Sequence, residues 1–598
     1  MRTAETILAV IQDRGKRGLP LERVYRLLFN RELYLQAYAR LYPKKGAMTP
    51  GSTNETVDGM SLEKIDQLID NIRYERHRWT PVRRVNIPKR NGKKRPLGIP
   101  SWSDKLLQEV MRSILEAYFE PQFSEHSHGF RPGRGCHTAL SEIQTWRGTR
   151  WFIEGDIAKY FETINHDVLL TILSEHIQDG RFLRLLRELL EAGYLEDWKF
   201  NKTISGTPQG GVISPILSNI YLHQFDKWVE TALIPEFTRG ERQKANPAYN
   251  KITHLLDNMR KRGNSNAKEI KALVKQRRSL PSVNTRDATY RRLWYARYAD
   301  DFLLGFTGPK AEAEEIKRKL KCWLQDNLKL KLSDEKTLIT HASTGAARFL
   351  GYDIRVQRVN DYIDPLGRRA LNGAIGLYVP ADVVEAKSAR YLRKGKTIHR
   401  PDLLQESDFT IVATYQQEYR GIVQYYLPAI NVAWLSKLHW VMRGSLLKTL
   451  AAKHQSSMKK MQKKYSTTTT DARTGKTLKC LEVRVERTDK KPLIARWGGI
   501  SLARKPHAVI DDQPYKVWGG RTELLKRLMA DECELCGSTE NVEVHHIRKL
   551  ADLNRPGRKE KSQWAQIMSA RQRKTLVVCR SCHESIHKGL PTRQQVLK

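Results

Sequence analysis

Two adjacent acidic residues, Asp300 and Asp301, carry carboxylates that could bind a metal ion. They lie between the apolar stretches 293–296 and 302–306, which predict two β-strands joined by a tight turn. Neighbouring carboxylates repel each other, and burying them is costly unless a cation compensates their charge. The pair therefore predicts a divalent-metal site, with an exposed acidic hairpin as the alternative for two acids taken alone.

A third acid, Asp156, ends another apolar stretch, 151–157, and precedes Asp300 by 144 positions. Mg²⁺ prefers oxygen ligands and retains water, so two or three carboxylates from separate strands are enough to bind it. Asp156 is therefore a candidate third ligand.

The C-terminal region holds a second set of metal-binding residue types. Two Cys-x-x-Cys pairs stand there with 42 residues between them: Cys533, Cys536, Cys579 and Cys582. Four thiolates suit a tetrahedral structural Zn²⁺. Four histidines accompany them: His545, His546, His583 and His587. A zinc knuckle alone explains the cysteines but leaves the histidines without a role, and the spacing exceeds that of a simple zinc ribbon.

Cationic and glycine-rich elements precede these sites. The stretches 83–89 and 93–100 flank an Asn-Gly turn and predict a β-hairpin. This hairpin can lay Lys89 and Arg95 against a triphosphate or a nucleic-acid backbone, although basic hairpins are often solvated sheet edges. The Gly/Arg loop 127–135 is suited to close approach by a phosphate chain.

Composition indicates the kind of partner. The 598 residues include 105 Lys and Arg against 65 Asp and Glu, a net charge of +40, which predicts several domains and a long polyanion as partner. No run of 18 apolar residues is present, and the N-terminus lacks a secretory signal. The cysteine usage indicates a reducing compartment.

Three further regions carry weaker patterns. Residues 239–292 hold 15 Lys and Arg against four acids, which predicts either a solvated surface or a grip on a template or other RNA. Residues 408–465 predict helices with an apolar stripe. Beyond them, 466–470 is a polar break that suggests a linker, and 448–491 is again basic.

The order of these elements resembles the reverse transcriptases encoded by mobile group II introns. The basic hairpin is followed by SHGFRPGRG, GDI-x-x-x-F, GTPQGGVISP, YADD, LKLSDEKT and FLGY, and the resemblance spans about residues 20–460. It implies a right-hand polymerase with fingers, palm and thumb. It also implies the following roles: Asp156, Asp300 and Asp301 as catalytic Mg²⁺ ligands, Phe161 as steric gate over the sugar, Gln209 at the nucleotide, and Lys89 and Arg95 at the triphosphate of the dNTP.

The chemistry agrees with these roles. Polymerisation is an in-line attack of a 3′-hydroxyl on an α-phosphate, which two Mg²⁺ ions support. Phe161 follows Asp156 by five residues and can crowd a 2′-hydroxyl, although an aromatic residue at that spacing is commonly part of a core. Residues 418–426 resemble the thumb and maturase domain of the same family, which implies binding of the intron RNA and assistance to splicing.

Residues 528–590 resemble an HNH endonuclease with a ββα-metal core. The resemblance implies His546 as the general base and His545 and His587 as ligands of a catalytic divalent ion, with His583 in a supporting position. The pattern departs from the family at the central Asn, where Lys574 or Thr575 stands. This departure bears on how the base is positioned.

We therefore predict a multidomain α+β protein. The boundaries are 1–375 for fingers and palm with a basic insertion at 236–293, 376–465 for thumb and maturase, 466–525 for a basic DNA-binding region or linker, and 526–598 for the HNH endonuclease. The predicted protein binds its intron RNA, nicks a DNA target and copies the RNA into cDNA, using Mg²⁺ and a structural Zn²⁺.

Alternatives to this prediction are a polymerase used in defence or diversification and a splicing-only maturase with an inactive nuclease. The expected location is cytoplasmic, with an organelle as the alternative although no transit peptide is seen. The oligomeric state is not predicted.

Overall fold

A computed structural model describes residues 3–592 apart from 89–91, 93, 197–198, 202–205, 207–209, 263–266, 285–286, 360–361, 363–371, 472–474, 488–489, 511–522, 551–552, 554–561 and 572. The fold is α+β and multidomain, as predicted. Within the described part of the chain, no helix has the length and apolar character needed to cross a membrane.

The N-terminal region and fingers surround one long buried helix. The elements up to residue 150 are α1 (Ala4–Lys16), β1 (Leu21–Glu22), α2 (Arg31–Leu41), β2 (Met60–Ser61), α3 (Leu62–Arg73), β3 (Val82–Pro88), β4 (Lys94–Ile99), α4 (Trp102–Phe119) and α5 (Cys136–Ile143). Helix α4 begins after the N-cap Ser101, whose hydroxyl accepts from the Asp104 amide, and it is buried on most of its surface. The predicted hairpin is present as β3 and β4.

The palm and its insertion follow. Their elements are β5 (Trp151–Asp156), α6 (Tyr160–Thr163), α7 (His166–Ser174), β6 (Ile177–Gln178), α8 (Gly180–Glu191), β7 (Tyr194–Glu196), β8 (Lys199–Asn201), α9 (Ser214–Trp228), α10 (Ile234–Glu236), α11 (Pro247–Lys261), α12 (Ala267–Ser279), β9 (Arg292–Tyr298), β10 (Asp301–Thr307), α13 (Lys310–Leu328), β11 (Leu338–His341), β12 (Ala347–Phe349), β13 (Tyr352–Val356) and β14 (Ile375–Tyr378).

The centre of the palm is a four-stranded antiparallel sheet with strand order β11-β5-β10-β9. Successive side chains of a strand point to opposite faces of its sheet. Accordingly, Phe302 and Leu304 of β10 belong to the core shared with α9 and α13, whereas Leu303 belongs to the core shared with the thumb. Both faces are covered, which fixes the register of β10 and with it the position of the acids at its start.

The thumb and the C-terminal region complete the chain. Their elements are α14 (Ala381–Ala389), β15 (Leu392–Arg393), β16 (Lys396–Thr397), α15 (Asp408–Tyr426), α16 (Leu435–Lys453), α17 (Met458–Tyr465), β17 (Ser466–Thr470), β18 (Thr477–Arg487), β19 (Lys490–Gly498), α18 (Glu523–Met529), β20 (Val542–His546), α19 (Gln563–Ala570), β21 (Thr575–Cys579) and α20 (Arg580–Lys588). The predicted helices within 408–465 are present as α15 to α17.

The linker predicted at 466–470 is instead strand β17 of a three-stranded antiparallel sheet, β17-β18-β19. This sheet packs on α15 and α16, with Trp497 stacked on His439 and buried. Threonine is β-branched and suits a strand whose side chains are half exposed, so a polar run of threonines forms an edge strand here. The described residues 466–498, apart from 472–474 and 488–489, are therefore part of the folded thumb.

Candidate active sites

The acidic turn of the palm joins β9 to β10, as the sequence predicts. Ala299 adopts a left-handed conformation at φ 55°, which reverses the chain, and Asp301 is the first residue of β10. Asp301 pairs directly with Asp156, the last residue of β5. The structure therefore brings the three predicted acids, Asp156, Asp300 and Asp301, to one end of the sheet.

The electrostatics of this cluster are dominated by the burial and mutual repulsion of its carboxylates. Enclosure by the surrounding protein raises the pKa of Asp301 to about 7, with the charges of Asp300 and Asp156 adding to the effect, although its side chain is open to solvent on one side. Burial and Asp156 also raise the pKa of Asp300. The Nζ of Lys336 donates to both Asp156 carboxylate oxygens at 3.0 and 2.9 Å. Carboxylates that crowd in this way fit a divalent cation, which reverses such shifts.

A fully buried ion pair supports the acidic turn. Arg297 and Asp226 are both 0% exposed, and Arg297 Nε donates to Asp226 Oδ1 at 2.7 Å. The same guanidinium donates to the Ala299 carbonyl at 2.8 Å, and the Tyr295 hydroxyl donates to Asp226 at 2.7 Å. Sequence reasoning missed Arg297 and Asp226. The available signal for Arg297 was its charge directly after the apolar stretch 293–296, because a buried cation needs a partner.

The Gly/Arg loop packs against the acidic turn, and its approach to a phosphate chain stays a prediction. A Cβ on Gly129 would lie 2.3 Å from the Ala299 amide nitrogen, so this glycine permits close contact with the acidic turn. Arg131 is buried and donates to Glu120 and to the Ser127 carbonyl. These residues pack inside the protein, so the loop supports the turn from behind.

The predicted nucleotide contacts are described in part. Arg95 lies on β4, and its charge lowers the pKa of Asp300 against the larger effect of burial. Phe161 lies half-buried on α6, edge-on to the ring of Tyr160. Lys89 and Gln209 lie outside the described residues.

The four cysteines come together in the C-terminal region. Their four sulfur atoms all lie within 4.8 Å of one another, those of Cys533, Cys536, Cys579 and Cys582. Burial and the neighbouring thiols raise the pKa of Cys582 far above its ordinary value. A tetrahedral thiolate site for Zn²⁺ fits this arrangement, because the cation would stabilise the deprotonated forms.

A second cluster is formed by three histidines and one aspartate. Donor atoms of Asp58, His545, His583 and His587 all lie within 4.8 Å of one another. His583 Nδ1 pairs with Glu543 Oε1 at 2.6 Å, which turns its Nε2 toward the cluster. Burial lowers the pKa of His583, but hydrogen bonds to Asp58 and Glu543 outweigh it and raise the pKa to about 9. The predicted ligands His545 and His587 are thus joined by His583, which was predicted in a supporting position. Asp58 also joins them, and the sequence did not indicate it.

His546 lies apart from this cluster. Because neighbours on a strand point to opposite faces, His545 faces the cluster and His546 faces the N-terminal helices. The Nε2 of His546 is 2.9 Å from the Tyr38 hydroxyl, and burial lowers its pKa to about 3. Thr575, one of the two residues at the place expected for the family Asn, pairs across the sheet with His546 and accepts from Arg527.

The C-terminal region packs on the N-terminal region of the chain. Strand β2 extends the sheet of β20 and β21, giving the order β2-β20-β21. Leu524 and Leu528 of α18 share a hydrophobic core with α2 and α4 of the polymerase. The nuclease region is therefore docked on the N-terminal region of the same chain.

Comparisons with known proteins agree with this organisation. Residues 87–354 match the reverse transcriptase (RNA-dependent DNA polymerase) family, 379–492 match the type II intron maturase family, and 533–583 match the AI2M/AI1M-like HNH endonuclease family. The maturase match extends through β17 and β18, consistent with their packing on the thumb.

Relatives match over nearly the whole chain. The group II intron-encoded protein LtrA of Lactococcus lactis subsp. cremoris is 39% identical over 95% of this chain and 96% of its own length. An uncharacterized 91 kDa protein in the cob intron of Schizosaccharomyces pombe is 33% identical over 98% of this chain and 73% of its own. A putative COX1/OXI3 intron 1 protein of Saccharomyces cerevisiae is 32% identical over 94% of this chain and 68% of its own.

The polymerase, maturase and nuclease regions are all matched, and nothing in these findings favours the splicing-only alternative. The chain therefore belongs to the family of multifunctional group II intron-encoded proteins, which combine an RNA-directed DNA polymerase, an intron maturase and an HNH DNA endonuclease in one polypeptide.

Proposed function

We propose that Asp156, Asp300 and Asp301 are the catalytic acids with which this protein copies its intron RNA into cDNA. The observation that carries the proposal is the pairing of Asp301 with Asp156 at the end of the palm sheet, together with the raised pKa values of the acids. Two Mg²⁺ ions held there would stabilise the attacking 3′-oxygen and the leaving oxygen of a dNTP. Lys336 neutralises Asp156 until the site is filled, since it occupies both carboxylate oxygens.

Further residues would select and orient the nucleotide. Arg95, with Lys89, binds the triphosphate, and its effect on Asp300 supports a position close to the acids. Phe161 excludes the 2′-hydroxyl by size, and Gln209 contacts the nucleotide. Arg297 acts through the turn, because it fixes the Ala299 carbonyl between β9 and β10, next to Asp300 and Asp301.

We also propose that His545, His583 and His587 bind the divalent ion of the nuclease and that the four-cysteine cluster binds Zn²⁺. The nuclease ion would polarise the scissile phosphate of the target DNA. Glu543 holds His583 in the tautomer whose Nε2 is available to a metal. His546 is proposed as the base that deprotonates water. An imidazole suits this role once it is exposed, because burial lowers the pKa of His546 to about 3 in the docked arrangement.

Binding of the intron RNA follows from the family, and target DNA is the proposed second nucleic acid. Helices α11 and α12 of the basic insertion pack against each other and carry Lys and Arg on their exposed faces. They offer a surface for phosphate backbones, whose binding releases counterions. A cytoplasmic location is proposed, because grouped reduced thiols are typical of a reducing compartment.

The proposal is tested with the ribonucleoprotein assembled by co-expressing the protein and its flanking intron RNA. We expect the particle to nick duplex DNA carrying the joined exons and to extend from the nick. His546→Ala should remove nicking but retain RNA binding, and a target nicked beforehand should restore cDNA synthesis. Nicking at the wild-type rate by His546→Ala refutes the role of the base. Failure of the pre-nicked target to restore synthesis refutes the separation of the two active sites.

A further inference from the structure

The N-terminal region of the polymerase contributes a strand to the nuclease. Met60 and Ser61 of β2 pair with Val544 and Glu543 of β20, and the Gly59 amide donates to the Val544 carbonyl at 3.0 Å. This pairing places the preceding residue, Asp58, directly over the histidine cluster. Asp58 comes from a segment that precedes the cluster by nearly the whole length of the chain.

The carboxylate of Asp58 lies among the imidazole nitrogens at ligand spacing. Asp58 Oδ2 is 2.8 Å from His587 Nε2, and Asp58 Oδ1 is 3.2 Å from His583 Nε2 and 3.5 Å from His545 Nδ1. Four donors held about 2.1 Å from one tetrahedral ion lie roughly 3.4 Å apart. The distances between these donors are close to that value.

We propose that Asp58 is the fourth protein ligand of the nuclease ion and restricts the access of substrate to it. This proposal rests on the assignment of the histidines to the nuclease ion made above. Around a tetrahedral ion three protein ligands leave one position open for water or substrate, and a fourth ligand occupies it. Around an octahedral ion such as Mn²⁺ the fourth ligand takes one of the three positions that the histidines leave. Three histidines provide the open site, and the Asp58 carboxylate fills a position that a DNA phosphate could enter.

A second contact from the same region covers the proposed base. The Tyr38 hydroxyl of α2 is 2.9 Å from His546 Nε2, and the two side chains are 0% and 5% exposed. The nitrogen that would accept a proton from water is therefore occupied and shielded. The ligand position and the base are both blocked by the polymerase, so the docked arrangement is a resting state of the nuclease.

Nicking then requires that this N-terminal segment move away from the nuclease. A DNA phosphate competes with Asp58 for the ion, and departure of α2 from His546 exposes the base. The polymerase region thereby controls when the nuclease acts, because the segment that blocks the nuclease is part of the polymerase's own core. Free protein is protected from cutting DNA at sites other than its target.

Asp58→Asn separates the role of ligand from that of a structural support. Asp58 Oδ1 accepts from the His546 amide at 2.7 Å, and an asparagine oxygen keeps this bond while losing the charge that binds the ion. The matched control is Asp66→Asn, since Asp66 is an exposed acid on α3 that pairs with Arg31. Tyr38→Phe removes only the hydroxyl that contacts the base.

The full-length, zinc-loaded variants are titrated with Mn²⁺. The Mn²⁺ binding that is lost in His583→Ala measures how much of the total binding belongs to the nuclease site. We expect Asp58→Asn to weaken Mn²⁺ binding by roughly tenfold or more. At saturating Mn²⁺, Asp58→Asn should nick supercoiled plasmid DNA faster than wild type. Tyr38→Phe should also nick faster, with unchanged Mn²⁺ affinity, and Asp66→Asn should match wild type in both assays.

The results distinguish failure of this inference from failure of the nuclease assignment. If Asp58→Asn binds Mn²⁺ as tightly as Asp66→Asn does, the role of Asp58 is only structural. Slower nicking by Asp58→Asn at saturating Mn²⁺ shows that the carboxylate serves catalysis and does not block it. Either result overturns the inference while His583→Ala still loses Mn²⁺. Unchanged Mn²⁺ binding by His583→Ala overturns both the inference and the nuclease site.

Discussion

The buried ion pair behind the acidic turn gives the sharpest test of how the polymerase site is held. Asp226→Ala leaves the Arg297 guanidinium charged and without its carboxylate in a position that is 0% exposed. Leaving one partner of such a pair unpaired costs about 3–5 kcal/mol. For a cooperative unit the size of the polymerase region, this corresponds to a Tm lower by roughly 4–6 °C. The Tyr295 hydroxyl also loses its acceptor.

The same change should slow catalysis, because Arg297 positions the Ala299 carbonyl between β9 and β10. A displacement of about 1 Å at a reacting centre costs on the order of 100-fold in rate. We therefore expect Asp226→Ala to lower the extension rate of a pre-annealed primer well beyond its effect on RNA binding. The measurements are thermal unfolding followed by fluorescence and single-turnover primer extension in Mg²⁺.

Two controls separate burial from charge alone. Asp66→Ala breaks an exposed ion pair, since the Asp66 and Arg31 side chains are 52% and 42% exposed. This change should alter the free energy of unfolding by less than about 0.5 kcal/mol. The double variant Asp226→Leu with Arg297→Met removes both charges and should regain part of the stability lost in Asp226→Ala. The reasoning is refuted if Asp226→Ala melts within about 1 °C (about 1 kcal/mol) of wild type and extends primers at its rate.

Four further outcomes are expected. Asp300→Asn should abolish cDNA synthesis while RNA binding stays near wild type, and wild-type extension would contradict the palm assignment. Phe161→Ala should raise ribonucleotide incorporation in a competition assay, whereas unchanged discrimination would make Phe161 a core residue. Cys533→Ser should lose zinc by metal analysis and expose 523–592 to protease, and an intact tail without zinc would refute this. Asp408→Asn should lower the Tm at pH 7 but have little effect below about pH 2, as measured across that range. Burial raises the pKa of Asp408, but hydrogen bonds from Lys453 and Tyr465 lower it to about 2, so its stabilisation is lost as the pH falls from about 4 to 2.

The sequence by itself determined the chemistry and most of the secondary structure of this protein. The strands around Asp300 and Asp301, the hairpin β3–β4 and the helices within 408–465 were predicted, because each depends on local periodicity and turn residues. The paired cysteines were also predicted to share one site, because their spacing is typical of thiolate ligands. The strand β17 was missed, because its threonines carry no apolar alternation although they pair with β18.

Only the tertiary structure decided which residues support and cover the sites. The hydrogen bond of Tyr38 to His546 spans 508 positions, and the pairing of Lys336 with Asp156 spans 180. Local patterns encode which face of a strand or helix is apolar, but they do not encode which distant face will pack against it. Asp58 lies in a polar loop whose sequence gives no sign of metal binding. It reaches the histidines because β2 adds to the edge of the nuclease sheet, a pairing determined by the packing of the whole chain.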